Sequence, residues 1–168
     1  MRITALPGRR IETEAWLKGL LVAAKYPDAK VTRYRHWDTD EEASVAFEAE
    51  RLSSQSPQLV IAKSLGTVIA ATAYSLHQFR PAFAVLIGTP YDALKDDEFQ
   101  FLRRFAASVH TLFIQQAQDP GGSADRLVVA LKVNRSSVVE VPGNDHLYSD
   151  TNASVSLLDR WTKQYLGI

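Results

Sequence analysis

The chain has 168 residues, a length that fits one domain with its own core rather than two. Hydrophobic residues make up 46% and charged residues 23%, proportions that exclude disordered and fibrous proteins. Nineteen basic residues balance nineteen acidic ones, so no overall field would draw the chain onto nucleic acid or an anionic membrane. Because cysteine is absent, disulfides, thiolate nucleophiles and cysteine-based zinc sites are excluded as well.

The sequence carries no pattern of a targeting or membrane segment. Met1 to Leu6 lacks the charged region and the apolar core of a secretory signal, and the apolar runs are far shorter than the roughly 20 residues of a membrane helix. We therefore expect a single domain over residues 1–168, a cytoplasmic location, a small-molecule partner, and neither nucleic acid nor membrane as partner. A homo-oligomer is compatible with the composition but is not indicated by it.

Six short apolar runs of strand type alternate with six amphipathic stretches of helical length. The strands are predicted at Ile3–Leu6, Lys30–Tyr34, Gln58–Ala62, Ala84–Ile87, Thr111–Gln115 and Ser137–Val141. The helices are predicted at Glu12–Lys25, Asp40–Ser53, Leu65–Gln78, Asp97–Ser108, Ser123–Lys132 and Asn152–Leu166. This alternation predicts an α/β fold: one doubly wound, mostly parallel six-stranded sheet with helices on both faces. Ligands are then expected beyond the carboxyl ends of the strands, near the point where the strand order reverses.

The turn after the third predicted strand has the pattern of a nucleophile elbow. It reads Ala62-Lys63-Ser64-Leu65-Gly66, a near match to G-x-S-x-G with alanine in the first glycine position. Small residues flank the serine because this strained turn brings the strand and helix backbones close together. A serine at this place can also be a simple helix N-cap. The strand before it and the apolar helix after it favour the elbow.

A serine hydroxyl becomes a nucleophile only when a histidine takes its proton and an acid orients that histidine. His146 follows the last predicted strand and is C-terminal to every candidate acid, as the order serine, acid, histidine requires. His77 lies about 20 Å along the helix that Ser64 begins. His110 opens a strand at the opposite edge of the sheet. His36 follows the second predicted strand on the correct edge, but that strand should lie beyond the first one, so His36 is the second candidate. We therefore select His146.

Three aspartates compete for the role of the acid. Asp119 ends the fifth predicted strand in an Asp-Pro-Gly turn, where an aspartate can also simply bind its own backbone. Asp92 follows the fourth strand, and Asp145 is adjacent to His146, where the geometry of the chain disfavours a side-chain pair. We favour Asp119, with Asp92 as the rival.

Taken together, these residues resemble the α/β-hydrolase superfamily, in particular its short, lid-free serine hydrolases, over Ile3 to Leu166. The segments that carry the resemblance are Leu6-Pro7-Gly8-Arg9, Lys63-Ser64-Leu65-Gly66, Gln118-Asp119-Pro120 and Gly143-Asn144-Asp145-His146. The resemblance implies a minimal α/β-hydrolase fold without the first two family strands, and a triad of Ser64, Asp119 and His146. The chain departs from the family at Ala62 and in lacking an HGGG-type sequence, which leaves one oxyanion donor open.

An acyl-transfer site also needs N–H donors for the oxyanion that forms on the substrate. The amide of Leu65, at the positive end of its helix, is the first expected donor. The amide of Arg9, in the loop after the first strand, is our choice for the second, with Arg10 next to it. Lys63 precedes the serine on the elbow and is expected to have only a structural or electrostatic role.

We expect a serine hydrolase that cleaves a small ester or thioester through an acyl-enzyme, with no cofactor and no metal. The short connection between the fourth and fifth predicted strands leaves little room for a lid, so the acyl group is expected to be small or solvent-accessible. The alternative is a catalytically inert hydrolase-fold protein that binds a ligand or another protein. A flavodoxin-like nucleotide binder ranks last because no G-x-G-x-x-G or Walker sequence follows any strand.

Overall fold

A computed structural model describes residues 1–167. The strands are β1 (Ile3–Leu6), β2 (Lys30–Val31), β3 (Leu59–Lys63), β4 (Phe83–Ile87), β5 (His110–Gln116) and β6 (Val138–Val141). The helices are α1 (Glu12–Ala23), α2 (Val45–Arg51), α3 (Leu65–Leu76), α4 (Asp96–Ser108), α5 (Ala124–Leu131) and α6 (Thr151–Leu166). These elements alternate along the chain as the apolar periodicity predicts.

The six strands form one sheet in the order β2-β1-β3-β4-β5-β6, and all five pairings are parallel. The predicted doubly wound α/β sheet is therefore confirmed. The strand order reverses at β1, which has β2 on one side and β3 on the other. Because Leu6 of β1 pairs with Ala62 of β3, the loop after β1 and the turn after β3 meet at this reversal point. Parallel sheets commonly bind ligands at such a point.

Alternation along the strands creates a separate core on each face of the sheet. Val60 and Ala62 of β3 pack in the core that α2, α3, α4 and α5 cover. Leu59 and Ile61 of the same strand pack in the core that α1 and α6 cover. Helices therefore lie on both faces, as predicted.

Helix α3 is the central helix of its layer. Its residues from Leu65 to Ala73 are all buried, and α2 and α4 flank it. This agrees with the apolar composition of the segment, which predicts a helix buried on most sides. The beginning of α3 thus lies near the middle of the molecule, next to the end of β3.

Within residues 1–167, no helix combines the length and the apolar character that a membrane span needs.

Strand β2 and helix α2 are much shorter than predicted, whereas the other elements differ from their predicted ranges by at most two residues at either end. Strand β2 ends at Val31, because the chain turns inward and buries Tyr34, whose hydroxyl donates to the carbonyl of Pro7 at 2.8 Å. Helix α2 begins only at Val45, because the side chain of Ser44 caps it by accepting a hydrogen bond from a backbone amide. The polar residues before Ser44 form bends instead of a helical turn.

Candidate active site

Ser64 occupies a sharp turn between β3 and α3. Its φ of 49° and ψ of −114° lie in a region that residues other than glycine rarely adopt, at a cost of about 1–3 kcal/mol. The turn is held in place by the Ser64 amide, which donates to the carbonyl of Ile87 at 2.9 Å. A Cβ on Gly66 would lie only 2.7 Å from the carbonyl oxygen of Pro7, so only glycine allows α3 to approach the end of β1 this closely.

The structure brings the side chains of Ser64, His146 and Asp119 together. The Oγ of Ser64 lies 2.8 Å from Nε2 of His146. Nδ1 of the same ring lies 2.8 Å and 2.9 Å from the two carboxylate oxygens of Asp119. With a proton on Nδ1, the imidazole donates to Asp119 and accepts from the serine hydroxyl through Nε2. This arrangement can move the serine proton onto the ring.

The carboxylate of Asp119 is fully buried, yet it has hydrogen-bond donors on both oxygens. The hydroxyl of Tyr148 donates to Oδ2 at 2.7 Å, and the amide of Gly121 donates to Oδ1 at 2.7 Å. Burial alone would raise the pKa of Asp119, but the hydrogen bonds from His146, Tyr148 and Gly121 outweigh it and hold that pKa below its usual value. The group therefore faces the imidazole as a carboxylate at neutral pH.

Neither competing aspartate contacts the His146 ring. Asp92 forms two hydrogen bonds with the guanidinium of Arg126, at 2.9 Å and 3.2 Å, on the surface. Asp145 accepts a hydrogen bond from the side-chain amide of Gln116 at 3.0 Å. Of the three candidates, the structure places only Asp119 next to the imidazole.

The other three histidines lie away from Ser64 Oγ. His36 bonds through Nε2 to the carbonyl of Arg9 at 2.8 Å, and the indole of Trp37 donates to the same oxygen at 2.8 Å. His77 directly follows the last residue of α3, and His110 begins β5 among aromatic rings. His36 therefore fixes the loop after β1 rather than contacting the serine.

In the cleft that Ser64 lines, the backbone amides of Leu65 and Arg9 have no backbone acceptor among the described residues. Leu65 is the first residue of α3, so its amide has no partner within the helix, and the positive end of the helix dipole lies there. The amide of Arg9 donates to no other backbone group among the described residues. Arg9, Ser64 and Leu65 line the same cleft. These amides are the two that the sequence suggested as oxyanion donors.

Lys63 is 3% exposed although it carries an amine. Its Nζ donates to the carbonyl oxygen of His146 at 2.9 Å and lies 4.6 Å and 5.6 Å from the ring centres of Tyr148 and Trp16. Burial lowers the pKa of Lys63 from 10.5 to about 8, and the nearby carboxylates of Asp119 and Asp145 partly oppose this change. Lys63 thus ties the turn that carries Ser64 to the loop that carries His146.

Two residues that the sequence motifs do not identify, Gln116 and Tyr148, hold this loop. Gln116 accepts a hydrogen bond from the His146 amide at 2.9 Å, and its own amide donates to the Tyr148 hydroxyl at 2.8 Å. A signal was present, because Gln115 and Gln116 are polar residues at the end of an apolar strand, where a polar site is expected. Nothing in the sequence pattern singled out Tyr148.

Among residues 1–167, no cluster of three or more acidic or histidine side chains could hold a metal ion.

No family model and no curated protein sequence matches the chain. Solved structures do match it. A protein from Pectobacterium atrosepticum, described as a candidate YdeN-like hydrolase, superposes with a TM-score of 0.65 and 18% identity over 96% of this chain and 90% of that one. A candidate hydrolase of the α/β superfamily from Xanthomonas campestris pv. campestris gives a TM-score of 0.67 and 17% identity over 96% and 97%. At this identity the likeness establishes the α/β-hydrolase fold alone.

Proposed function

We propose that the chain is a serine hydrolase that cleaves an ester or thioester with a small or solvent-accessible acyl group. The observation that carries this proposal is the continuous set of hydrogen bonds from Ser64 through His146 to Asp119, at 2.8 Å and 2.8–2.9 Å. A serine needs this combination of base and buried carboxylate to attack a carbonyl. The solved structures with the same fold, described as hydrolases, support this class of reaction.

In the first half of the proposed reaction, Ser64 Oγ attacks the acyl carbon while its proton passes to Nε2 of His146. Asp119 stabilises the imidazolium that forms, because its carboxylate is ionised and directed at Nδ1. The amides of Leu65 and Arg9 are assigned to the oxyanion of the tetrahedral intermediate. The intermediate then breaks the bond to the leaving group, which takes the proton from Nε2 and departs as an alcohol or a thiol. The acyl group remains on Ser64.

In the second half, water takes the place of the leaving group. His146 accepts a proton from the water as its oxygen attacks the acyl carbon, and then returns that proton to Ser64 Oγ. The products are the free carboxylic acid and the restored serine. All steps use protons and electron pairs that the substrate, the water and these side chains supply, so the residues need no cofactor for this reaction.

Burst kinetics with 4-nitrophenyl acetate test the acyl-enzyme. If deacylation is the slower half, nitrophenol appears first in a burst of about one equivalent per chain and then at a slower steady rate. Ser64→Ala should remove both the burst and the steady rate without changing the circular dichroism spectrum. Steady hydrolysis that survives Ser64→Ala would overturn the proposal. A folded wild-type chain that hydrolyses neither this ester nor acyl thioesters would favour the inert binding protein instead.

A further inference from the structure

A cleft of about 790 Å³ begins at Ser64. One wall is the segment 42–46, which leads into α2, and the other wall comes from 90–101, which connects β4 to α4 and forms its first turns. The floor is α3, which lies between these two helices. The cleft is therefore much larger than the space that a serine, a histidine and a small acyl group need.

The floor of the cleft follows one face of α3. Leu65, Val68, Thr72 and Leu76 line it at intervals of three and four residues, the spacing of one helix face. With a rise of 1.5 Å per residue, Leu76 lies about 16 Å beyond Leu65 along the helix. Val68 is 3% exposed and Leu76 is 57% exposed. The cleft is thus a groove that starts deep beside Ser64 and reaches the surface at the end of α3.

Both walls next to this floor also carry apolar side chains, beside polar and charged ones. Val45 and Ala43 contribute on the α2 side, and Leu94 and Phe101 contribute on the α4 side. The charged residues of the lining include Glu42 and three residues near the start of α4, Lys95, Asp97 and Glu98. A ligand that follows α3 therefore contacts apolar side chains of the floor and of both walls, and meets one polar group of the floor, the buried Thr72 hydroxyl.

The position of His146 decides which part of a substrate the groove can hold. Ser64, Leu65 and Arg9 line the groove, whereas His146 does not. A leaving group must depart beside Nε2 of His146, because that nitrogen supplies its proton. Because His146 does not line the groove, we assign the groove to the acyl group and not to the leaving group.

We propose that the groove along α3 binds a straight, saturated acyl chain, and that the substrate is an ester or thioester of a medium-chain fatty acid. This inference rests on the proposed serine hydrolase and names its substrate class. An extended hydrocarbon advances about 1.3 Å per carbon given C–C bonds of about 1.5 Å, so the groove accommodates about twelve carbons. The connection from Gly88 to Lys95 holds only one short 3-10 turn, Tyr91–Ala93, and no lid, so the chain lies in a groove that stays accessible to solvent.

A chain-length series of 4-nitrophenyl esters from acetate to tetradecanoate tests the inference on the full chain. A fully buried methylene is worth about a fourfold change in an equilibrium constant, and we expect about twofold per methylene in a groove open on one side. Eight methylenes separate decanoate from acetate, so kcat/KM should rise about 250-fold from the acetate ester to the decanoate ester and stop rising near twelve carbons.

Two variants locate the chain in the groove. Leu76→Gln places a polar group at the far end on an exposed position, so it should lower the ratio of kcat/KM for dodecanoate to that for hexanoate. Val68→Phe fills the groove about 5 Å from Leu65 and should shift the preferred ester to four carbons or fewer. Val129→Gln, at a position of α5 that is 77% exposed and outside the groove, is the matched control and should change neither this ratio nor the preferred ester.

A second measurement separates this inference from the reaction itself. Calorimetric titration of Ser64→Ala with decanoate reports binding in the groove without catalysis, and the added Leu76→Gln substitution should weaken that binding. The groove assignment is wrong, while the hydrolase stands, if the wild-type chain cleaves the acetate and decanoate esters equally well and Leu76→Gln changes neither cleavage nor decanoate binding. If decanoate binds but no ester is cleaved at any chain length, the hydrolase is wrong while the groove remains a binding site for an acyl chain.

Discussion

The ammonium group of Lys63 donates a hydrogen bond to the carbonyl oxygen of His146, 2.9 Å away, although the two residues are 83 positions apart. Lys63 immediately precedes the proposed nucleophile, so one side chain joins the strained turn after β3 to the loop after β6. The Lys63 side chain thereby fixes the turn that carries Ser64 relative to the loop that carries His146, the two partners of the Ser64–His146 hydrogen bond. This contact explains why a lysine can be buried at the end of a central strand.

The burial of Lys63 predicts a pH dependence of stability. The pKa of Lys63 is about 8 in the folded chain and 10.5 when unperturbed, so between these values the unfolded chain binds more protons. The free energy of unfolding of the wild type, relative to Lys63→Met, should therefore increase from pH 8 to pH 10.5, by at most about 3 kcal/mol. Urea denaturation of both proteins at intervals across this range measures the difference. A difference that stays constant or falls with rising pH would contradict the assignment.

The hydrogen bond from the Tyr148 hydroxyl to Asp119 predicts that loss of this hydroxyl lowers both stability and the rate of hydrolysis. Tyr148→Phe removes the hydroxyl that donates to Asp119 and accepts from the Gln116 amide, so we expect a loss of about 1.5–3 kcal/mol of stability. Because the carboxylate then loses one of its fixed donors, the rate of ester hydrolysis should fall about tenfold or more. Tyr26→Phe is the control, since its hydroxyl bonds Thr162 in another part of the molecule at 2.9 Å. It should cost about 1 kcal/mol of stability and leave the rate unchanged.

The two competing aspartates predict opposite results on substitution. Asp119→Asn removes the charge beside the imidazole and favours the wrong tautomer, so kcat should fall about ten-thousandfold. Asp92→Asn weakens only a surface ion pair with Arg126, which is worth about 1 kcal/mol or less, and kcat should stay near the wild-type value. Steady-state kinetics of both variants compare them directly. A large loss in Asp92→Asn with an active Asp119→Asn would transfer the role of the acid to Asp92.

Two glycines in helices predict effects of opposite sign. Gly66→Ala forces a Cβ to within 2.7 Å of the Pro7 carbonyl oxygen, so either the turn at Ser64 or the end of β1 must move. We expect a loss of several kcal/mol in stability and a loss of hydrolysis. Gly19→Ala, in α1, meets nothing within 4 Å and should stabilise the chain by about 0.5–1 kcal/mol. Thermal unfolding of the two variants gives the comparison; a stable, active Gly66→Ala protein would contradict the close approach of α3 to β1.

Many ends of strands and helices can be predicted from the local pattern of apolar residues. The run at β1 ends at Leu6 as predicted, and α3 starts at Leu65 as predicted, because apolar periodicity changes at those residues. The predicted strand at Lys30–Tyr34 was too long, because its end depends on where Tyr34 finds a buried partner. Contacts of that kind involve a distant segment and leave no local pattern.

The candidate site also has a part that the sequence predicts and a part that it does not. The positions of Ser64, Asp119 and His146 after three different strands could be predicted, because parallel strands all deliver their carboxyl ends to one edge of the sheet. The supporting contacts of Lys63 and Tyr148 could not be predicted. They depend on the path of the loop after β6, where both His146 and Tyr148 have a positive φ, of 63° and 58°. Neither residue type indicates such a conformation by itself.

Reaction of the purified full chain with a fluorophosphonate, followed by intact-mass and peptide mass spectrometry, tests the central claim most directly. The reagent bonds to a serine that a neighbouring base activates, so the account predicts one adduct per chain, located on Ser64, and no adduct in Ser64→Ala. His146→Ala should slow the labelling by several orders of magnitude, because it removes the group 2.8 Å from the serine oxygen. A folded wild-type chain that takes up no fluorophosphonate, or takes it up at another residue, would contradict the account.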